Sequence, residues 1–593
     1  MHPSVPGSVF FIRTIISFFR RHRTIILVTL LWSLSLRWWD GERMWGSHSP
    51  AFEPVRMMGV LDAWRHGIWD ARWIPLFDQG YGYPIFSYHS PLFSWVGAVF
   101  LAVTGLPVLS LKFTIMVFFL VGGLGCRTLA AHFWARPGTR DQHSGDLAFV
   151  GWASATYLLM NIFVRGSLAE FGASCFVPWV IWGIWLLTAN ARRYVTGASV
   201  IAVSLALVIL CHNAIAIYML MLLAVPLPLL MRPAGWRGWL AWAAGGVFAG
   251  CLSAFFAVSA ALEKSFVQLD KVVIQDVRDH FLRLDHLLTL GQWNLGLSGQ
   301  DPACVMPRHQ GLLLPLALLT GVAAFRIFRS EKLRAKTAVF IALAGLTLAM
   351  AMPPSVWLWD HVRVLQYTQF PWRWMSLNTV MLALLVPAFG LALRLHGSEV
   401  AQRCYGVAVG AVFLLNIGLY GGPTTKWPRW EFDPRPELIR RDKARTALAD
   451  EYGPIWRPTE FSHPIEAEQA LAQNVSINKA TLPDSPWRWF VGNRTTSSHV
   501  VMGVNYFPAW KAYWSNNTAS PRKELPIENA NGLIGVTLPS GAAGYLELEF
   551  VNTPTRLALK IFSAASLVGG AGLVIWLRRR KRREEATRVE NPA

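Results

Sequence analysis

Charge is scarce in this 593-residue chain: Asp, Glu, Lys and Arg make up 15% of it, 53% is hydrophobic, and mean hydropathy is +0.34. Acids are scarcer than bases, 35 against 55, yet the basic surplus forms no nucleic-acid patch. It sits in short loops between apolar runs and in the tail Arg578, Arg579, Arg580, Lys581, Arg582 and Arg583, where it sets membrane orientation. No nucleic-acid partner is therefore expected. Of six cysteines, Cys126, Cys175, Cys211, Cys251 and Cys404 fall in or beside apolar runs and Cys304 stands apart, so neither a disulfide framework nor metal-ligand spacing is present. Phosphate-loop, dinucleotide, metalloprotease-helix and nucleophile-elbow motifs are also missing, which excludes nucleotide-driven chemistry. No internal repeat stands out.

What the chain does have is long apolar runs. The first covers Thr24 to Trp39, behind Arg20, Arg21 and Arg23, and residues 1–23 read as a cytoplasmic or interfacial amphipathic stretch. Others lie near 109–131, 147–163, 172–189, 195–211, 213–231, 239–262, 311–328, 336–352, 375–395, 404–421 and 556–577. Each approaches the roughly 20 residues that cross a bilayer, and only internally bonded backbone survives there. Pro91 to Leu106 is apolar but short, and its placement decides the topology. If it does not cross, Arg136, Arg140, Arg192, Arg193, Arg232, Arg237, the Arg326–Lys336 cluster, Arg394, Arg403 and the tail share one side. If it does, the later basic loops move outside, against the positive-inside bias. The reading is non-spanning: about twelve spans, both termini cytoplasmic, in a bacterial inner membrane.

That topology gathers the polar interruptions on the outer face: the loop from Asp40 to Leu92, Arg165–Phe171, His212–Asn213, Glu263–Gln310 and Pro353–Trp374. Residues 422–555 follow as a periplasmic domain before the span 556–577 and the tail 578–593. Its alternating stretch Tyr545–Phe550 and the turn pair Asn531–Gly532 predict a small β-rich sandwich.

Several outer residues carry possible chemistry. Asp40 is either a helix-terminating acid or a base at headgroup depth. Asp62, Arg65 and His66 would line the solvated side of an amphipathic helix from about Pro54 to Trp69, which leaves Glu53, in a less regular part, as the better acid. The rings of Gly80–Tyr88 anchor an interface by default, or offer a sugar platform. Arg165 and Glu170 either pair with each other, or Arg165 meets a phosphate while Glu170 is an orienting or second carboxylate. His212 and Asn213 interrupt the run from Val195 to Met231. Arg373, in Gln369-Phe370-Pro371-Trp372-Arg373-Trp374, snorkels or holds a lipid phosphate.

An ordered set of segments carries a resemblance: DARWIPLFDQGYGYPIFSYHSPL, VRGSLAEFGASCFVPWVIW, CHNAIA, QFPWRW, EYGPIWRP, NYFPAWKAYW and NGLIGVTLPSG. With these the chain resembles the bacterial integral-membrane family labelled 6-pyruvoyl-tetrahydropterin synthase-related (YfhO-like), which is similar to the C-type (GT-C) glycosyltransferases. The resemblance implies a GT-C-like, all-α polytopic membrane protein that moves a sugar from a polyprenyl-phosphate donor to an envelope glycan, lipid or protein acceptor. It also implies an acid of the first outer loop as base, a role that Asp40 matches by position. Ser47-His48-Ser49 stands where the family pattern has Gly-His-Asp, so the acid is Asp40 or Glu53, or the chain is inactive. Asp40, Glu53 and Glu170 are thus the catalytic candidates. His48, Arg56, Arg165, His212, Asn213 and Arg373 are the candidates for binding donor phosphate or substrate. No cofactor or metal ligand set is expected, and a divalent metal requirement is left open. The rival reading is a non-catalytic glycolipid or polysaccharide transporter or scaffold.

Overall fold

The computed structural model describes residues 19, 22–49, 52–136, 139–189, 193–270, 277–288, 309–422, 430–435, 438–439, 451–457, 477–479, 487–492, 497–541 and 543–590. The interfacial reading of the N-terminus falls almost wholly outside them, as do Cys304 and most of 423–450. The described chain is mostly helical. Among the described residues, ten helices are long and apolar enough to cross a membrane, from Pro107–Phe133 to Pro554–Arg580. The other two expected runs are shorter here: residues 22–33 are helical, and Leu313–Ile327 has 15 residues.

Two spans form the centre. The apolar window of Gln142–Arg165 is buried along its whole length and that of Pro371–Leu395 along 89% of it. Both are apolar on every side, as a helix surrounded by helices must be. Both are also broken. The first bends between Ala153 and Thr156, and the Ser154 carbonyl accepts from Asn416 Nδ2 at 2.7 Å. The second restarts at Pro387, which has no N–H to continue the ladder. In lipid each backbone group freed by a break must find another partner, and Asn416 supplies one.

The Leu92–Thr104 helix is shorter than any of those ten helices. Its 13 residues rise about 20 Å, against a hydrocarbon core of about 30 Å. Both its ends also stay with the first loop. Ser90 Oγ donates to Asn213 Oδ1, and past the far end the Glu42 carboxylate accepts from Val108 N (2.9 Å) and Leu109 N (3.0 Å). Glu42 thereby caps the next helix, where a negative charge is favourable. The connections then sort into two ends. At one end Asp141 pairs with Arg394, Arg127 with Asp146, and Lys336 Nζ with the Phe133 carbonyl. At the other, Arg72 donates to Phe255 O, Asp70 pairs with Lys560, Tyr218 donates to Thr368, and buried Arg556 forks onto Glu263. Burial raises the Asp70 carboxyl, but Arg72 and Lys560 outweigh it and hold it below the usual range.

The late strands build two antiparallel sheets on a shared core. One has the order β1 (Ile477–Lys479), β2 (Arg488–Val491), β8 (Gly544–Phe550), β4 (Trp510–Ser515), β5 (Lys523–Leu525). The other runs β3 (Ser498–Asn505), β7 (Leu533–Leu538), β6 (Ile527–Ala530). Asn531 and Gly532 both take positive φ (54° and 89°), closing the two-residue hairpin in which Ala530 faces Leu533. The alternation of Tyr545–Phe550 holds with one correction. Glu547 is buried, because Arg488 (2.9 Å) and Arg522 (3.3 Å) pair with it. Trp487, Trp489, Trp510 and Trp514 are core, as indole area favours.

A pH response follows from His309. Its Nδ1 accepts the Gly311 N–H at 2.9 Å, and burial pushes the imidazole down to about 4. Between the unfolded value of about 6.5 and that folded value, the unfolded chain binds more protons, so stability falls as pH drops through this window. The loss at pH 5 relative to pH 7 is on the order of 2 kcal/mol. Thermal unfolding in detergent at both pH values checks this. His309→Asn, whose amide oxygen can still accept from Gly311, should make the slope shallower by about this amount, leaving the share of other buried histidines such as His89, and an unchanged slope would refute the assignment.

Candidate functional site

The cluster starts at a tight turn. Residues Asn161–Arg165 form a π-helical turn that ends the first central span, and Gly166, at φ 67°, reverses the chain in the left-handed region. A side chain there would meet Ser47 Oγ (2.8 Å) and Ser49 O (2.9 Å), so Ser47–Ser49 lies directly on the turn. His48 N donates to Val164 O, and Trp45 Nε1 to Ile162 O. The next helix, Leu168–Ser174, starts at once and carries Glu170 in its first turn. Glu170 thus belongs to the span, where the sequence had suggested a loop.

Glu170 is fully buried among donors. Its Oε1 accepts from Tyr157 Oη (2.8 Å), Ser376 Oγ (2.9 Å) and Asn161 Nδ2 (3.4 Å). Its Oε2 takes Arg165 Nη1 at 2.6 Å and lies 3.3 Å from Arg373 Nε. Arg165 also donates to Asn161 and lies over the Trp372 ring at 4.3 Å. Arg373 donates to Thr368 O and faces the Phe370 ring. Three donors on Oε1 and two guanidinium groups at Oε2 thus tie Glu170 to its neighbours in the bundle. Among the described residues, the two guanidinium groups of this cluster exceed its one carboxylate, an excess of one positive charge in a nearly dry place.

A second group sits beside the first. Glu53 lies in the first turn of the helix Phe52–Arg65, and 3% of it is exposed; the expectation of a less regular segment is corrected. It accepts from Arg56 Nη1 (2.7 Å) and Ser94 Oγ (2.8 Å), one bond on each oxygen, so each keeps capacity for another donor. His89 Nε2 lies 3.1 Å from Arg56 Nη1 and 3.9 Å from Glu53. Burial, then Arg56 and His212, hold this imidazole well below the ordinary histidine range, so it is neutral at pH 7. His212 joins the groups: the charges of Arg373, Glu170 and Arg165 act on it, and it acts on His89. Its Nδ1 accepts from Ile215 N, capping the next helix, which puts the proton of a neutral ring on Nε2. Asn213 bridges Ser90 Oγ and the Tyr88 carbonyl. Donors are in surplus here: Arg56 Nε, Trp372 Nε1 and Trp374 Nε1 are buried with no acceptor among the described residues.

No protein-family model matches the chain, and no curated protein matches it in sequence. Three solved structures are similar to it. The arabinofuranosyltransferase AftD from Mycobacteria is 16% identical over 68% of this chain and 26% of its own, with a TM-score of 0.40. ArnT from Cupriavidus metallidurans, bound to undecaprenyl phosphate, is 12% identical over 67% and 74%, at 0.40. The oligosaccharyltransferase AglB from Archaeoglobus fulgidus, with an inhibitory peptide and a dolichol-phosphate, is 10% identical over 73% and 56%, at 0.44. The chain spans about a quarter of AftD and a little over half of AglB. Scores of this size decide neither fold nor function for this chain.

Of the sequence-derived residues, Glu53, Arg56, Arg165, Glu170, His212, Asn213 and Arg373 lie in these adjoining groups, and His48 lies on the Arg165 turn. Asp40 has another setting. It pairs with Arg37 at 3.5 Å and feels Lys112, whose ammonium donates to Arg37 O and Gly41 O beside the start of the Pro107–Phe133 helix. The rings of Gly80–Tyr88 are neither anchor nor platform: Tyr81, Tyr83, Phe86 and Tyr88 are buried. Asp78 explains why, since it pairs with Arg457 (2.7 Å) and accepts from Asn505 Nδ2, clamping this stretch under the sheets. Sequence reasoning missed Tyr157, Asn161, His89, Ser94 and Ser376. Only the i, i+4 spacing of Asn161 and Arg165 offered a signal. Among the described residues, no three His, Cys, Asp or Glu side chains gather as a metal site would need.

Proposed function

We propose that this chain is an integral-membrane glycosyltransferase of the bacterial inner membrane. It moves a sugar from a polyprenyl-phosphate carrier to an envelope acceptor on the periplasmic face, with residues 422–555 as its periplasmic domain. One observation carries the reading: a buried Arg165–Glu170–Arg373 cluster with one excess positive charge, beside a carboxylate, Glu53, that can still accept a proton. Surplus donors at the end of a bundle suit a lipid phosphate, whose negative charge grows as it leaves. In the step, the acceptor hydroxyl oxygen bonds to the anomeric carbon and the bond from that carbon to the phosphate oxygen breaks. The electron pair departs with the phosphate, held by Arg165 and Arg373, and Glu53 takes the hydroxyl proton. Glu170 fixes both guanidinium groups and touches no substrate.

The clustering at one end also weighs against the transporter reading, since a transporter places its ionisable groups near mid-span on broken helices. Deleting the gene and comparing envelope glycolipids and polysaccharides by mass spectrometry tests the proposal. One glycosylated species should vanish, return with the intact gene, and stay absent with Arg373→Gln. An unchanged envelope would sink it.

A further inference from the structure

The segment 451–457 is strapped across the junction of helices and sheets. Tyr452 N donates to Tyr83 Oη (3.1 Å), Gln268 N to Gly453 O (3.0 Å) and Ile455 N to Phe266 O (3.1 Å), while Arg457 reaches Asp78. The strap also lies over the candidate site. The Tyr452 ring stacks on Tyr88 with centroids 5.9 Å apart, the Tyr88 carbonyl holds Asn213, and the next residue, His89, contacts Arg56. Arg56 and Arg373 both act electrostatically on the Tyr452 ring, which puts it within range of both charged groups. Beside it, Glu451 presents a buried Oε2 with no donor.

Resting on the transferase reading, we propose that Glu451 contacts substrate and accepts a hydrogen bond from a hydroxyl of the carrier-linked sugar. An unmatched buried carboxylate oxygen costs about 1–3 kcal/mol or more, so its retention calls for a partner. The rest of the site has the opposite imbalance, with donors lacking acceptors at Arg56 Nε, Trp372 Nε1 and Trp374 Nε1. A glycosyl phosphate matches both: its phosphate oxygens meet the donors and its hydroxyls meet the acceptor.

The test compares binding of undecaprenyl phosphate with binding of undecaprenyl phosphate carrying a pentose, hexose or N-acetylhexosamine. The purified full chain in nanodiscs is titrated as wild type, Glu451→Ala and Arg373→Gln. Wild type should prefer one sugar-bearing lipid. Glu451→Ala should lower that preference about tenfold, as loss of a charge-assisted bond does, with bare-lipid affinity unchanged and thermal stability of the lipid-free chain unchanged or raised, since the unmatched oxygen is gone. Arg373→Gln should weaken both lipids alike. An unchanged preference in Glu451→Ala overturns the role of Glu451 but spares the transferase reading. Equal loss of stability and of affinity for both lipids marks a structural residue and overturns it too. If wild type binds neither lipid, both readings fall.

Discussion

Glu53→Gln is expected to lower sugar transfer about a thousandfold, within the range a general base contributes. The amide still accepts from Ser94 or Arg56 but can take no proton from the acceptor. It leaves Arg56, which is 11% exposed, without its counter-charge, at a stability cost of about 1–3 kcal/mol. Turnover of the glycolipid that depends on the gene should therefore collapse while the protein still folds and still binds lipid phosphate. Asp40→Asn should change transfer less than tenfold, because Asp40 is engaged with Arg37 and Lys112. If the two variants exchanged these effects, the base would be Asp40, and the arrangement around Glu53 would be only a brace.

The second large effect is on stability. Glu170→Gln should destabilise the chain by about 3–5 kcal/mol, because Arg165 and Arg373 would then share a buried place with no counter-charge. Adding Arg165→Ala removes one of the two stranded charges, while the new amide keeps an acceptor for Tyr157 and Ser376. The double variant should then be more stable than Glu170→Gln by at least about 1 kcal/mol, a coupling that thermal unfolding in detergent resolves. Additive losses would show that the two residues stabilise the fold independently.

Much of the helical layout was legible in the sequence because lipid enforces a simple code: a run of about 20 apolar residues, and basic loops on one side. The shortness of the run Pro91–Leu106 was legible too: it forms a helix of 13 residues, and Glu42 at Val108 and Leu109 holds the chain just past its far end. Arg165, His212 and Arg373 were also legible, since ionisable groups beside apolar runs are costly and stand out. What stayed hidden depended on contacts distant in sequence. Asp78 pairs with Arg457, and Tyr83 with Tyr452, so aromatic residues that looked suited to an interface became core. Asp40 and Glu53 were equally plausible acids by position. Only the placement of Ser94 and Arg56 on one, and of Arg37 and Lys112 near the other, separates them.

The most direct test of the central claim is the affinity of the purified chain for undecaprenyl phosphate against that for the uncharged polyprenol of equal length. If Arg165 and Arg373 hold a lipid phosphate, wild type binds the phosphate at least about tenfold more tightly than the alcohol, as charge-assisted bonding to guanidinium groups requires. Arg373→Gln should erase most of that difference while leaving alcohol binding unchanged. Equal affinity for the two lipids in the wild type, or a phosphate preference that survives Arg373→Gln, would contradict the account.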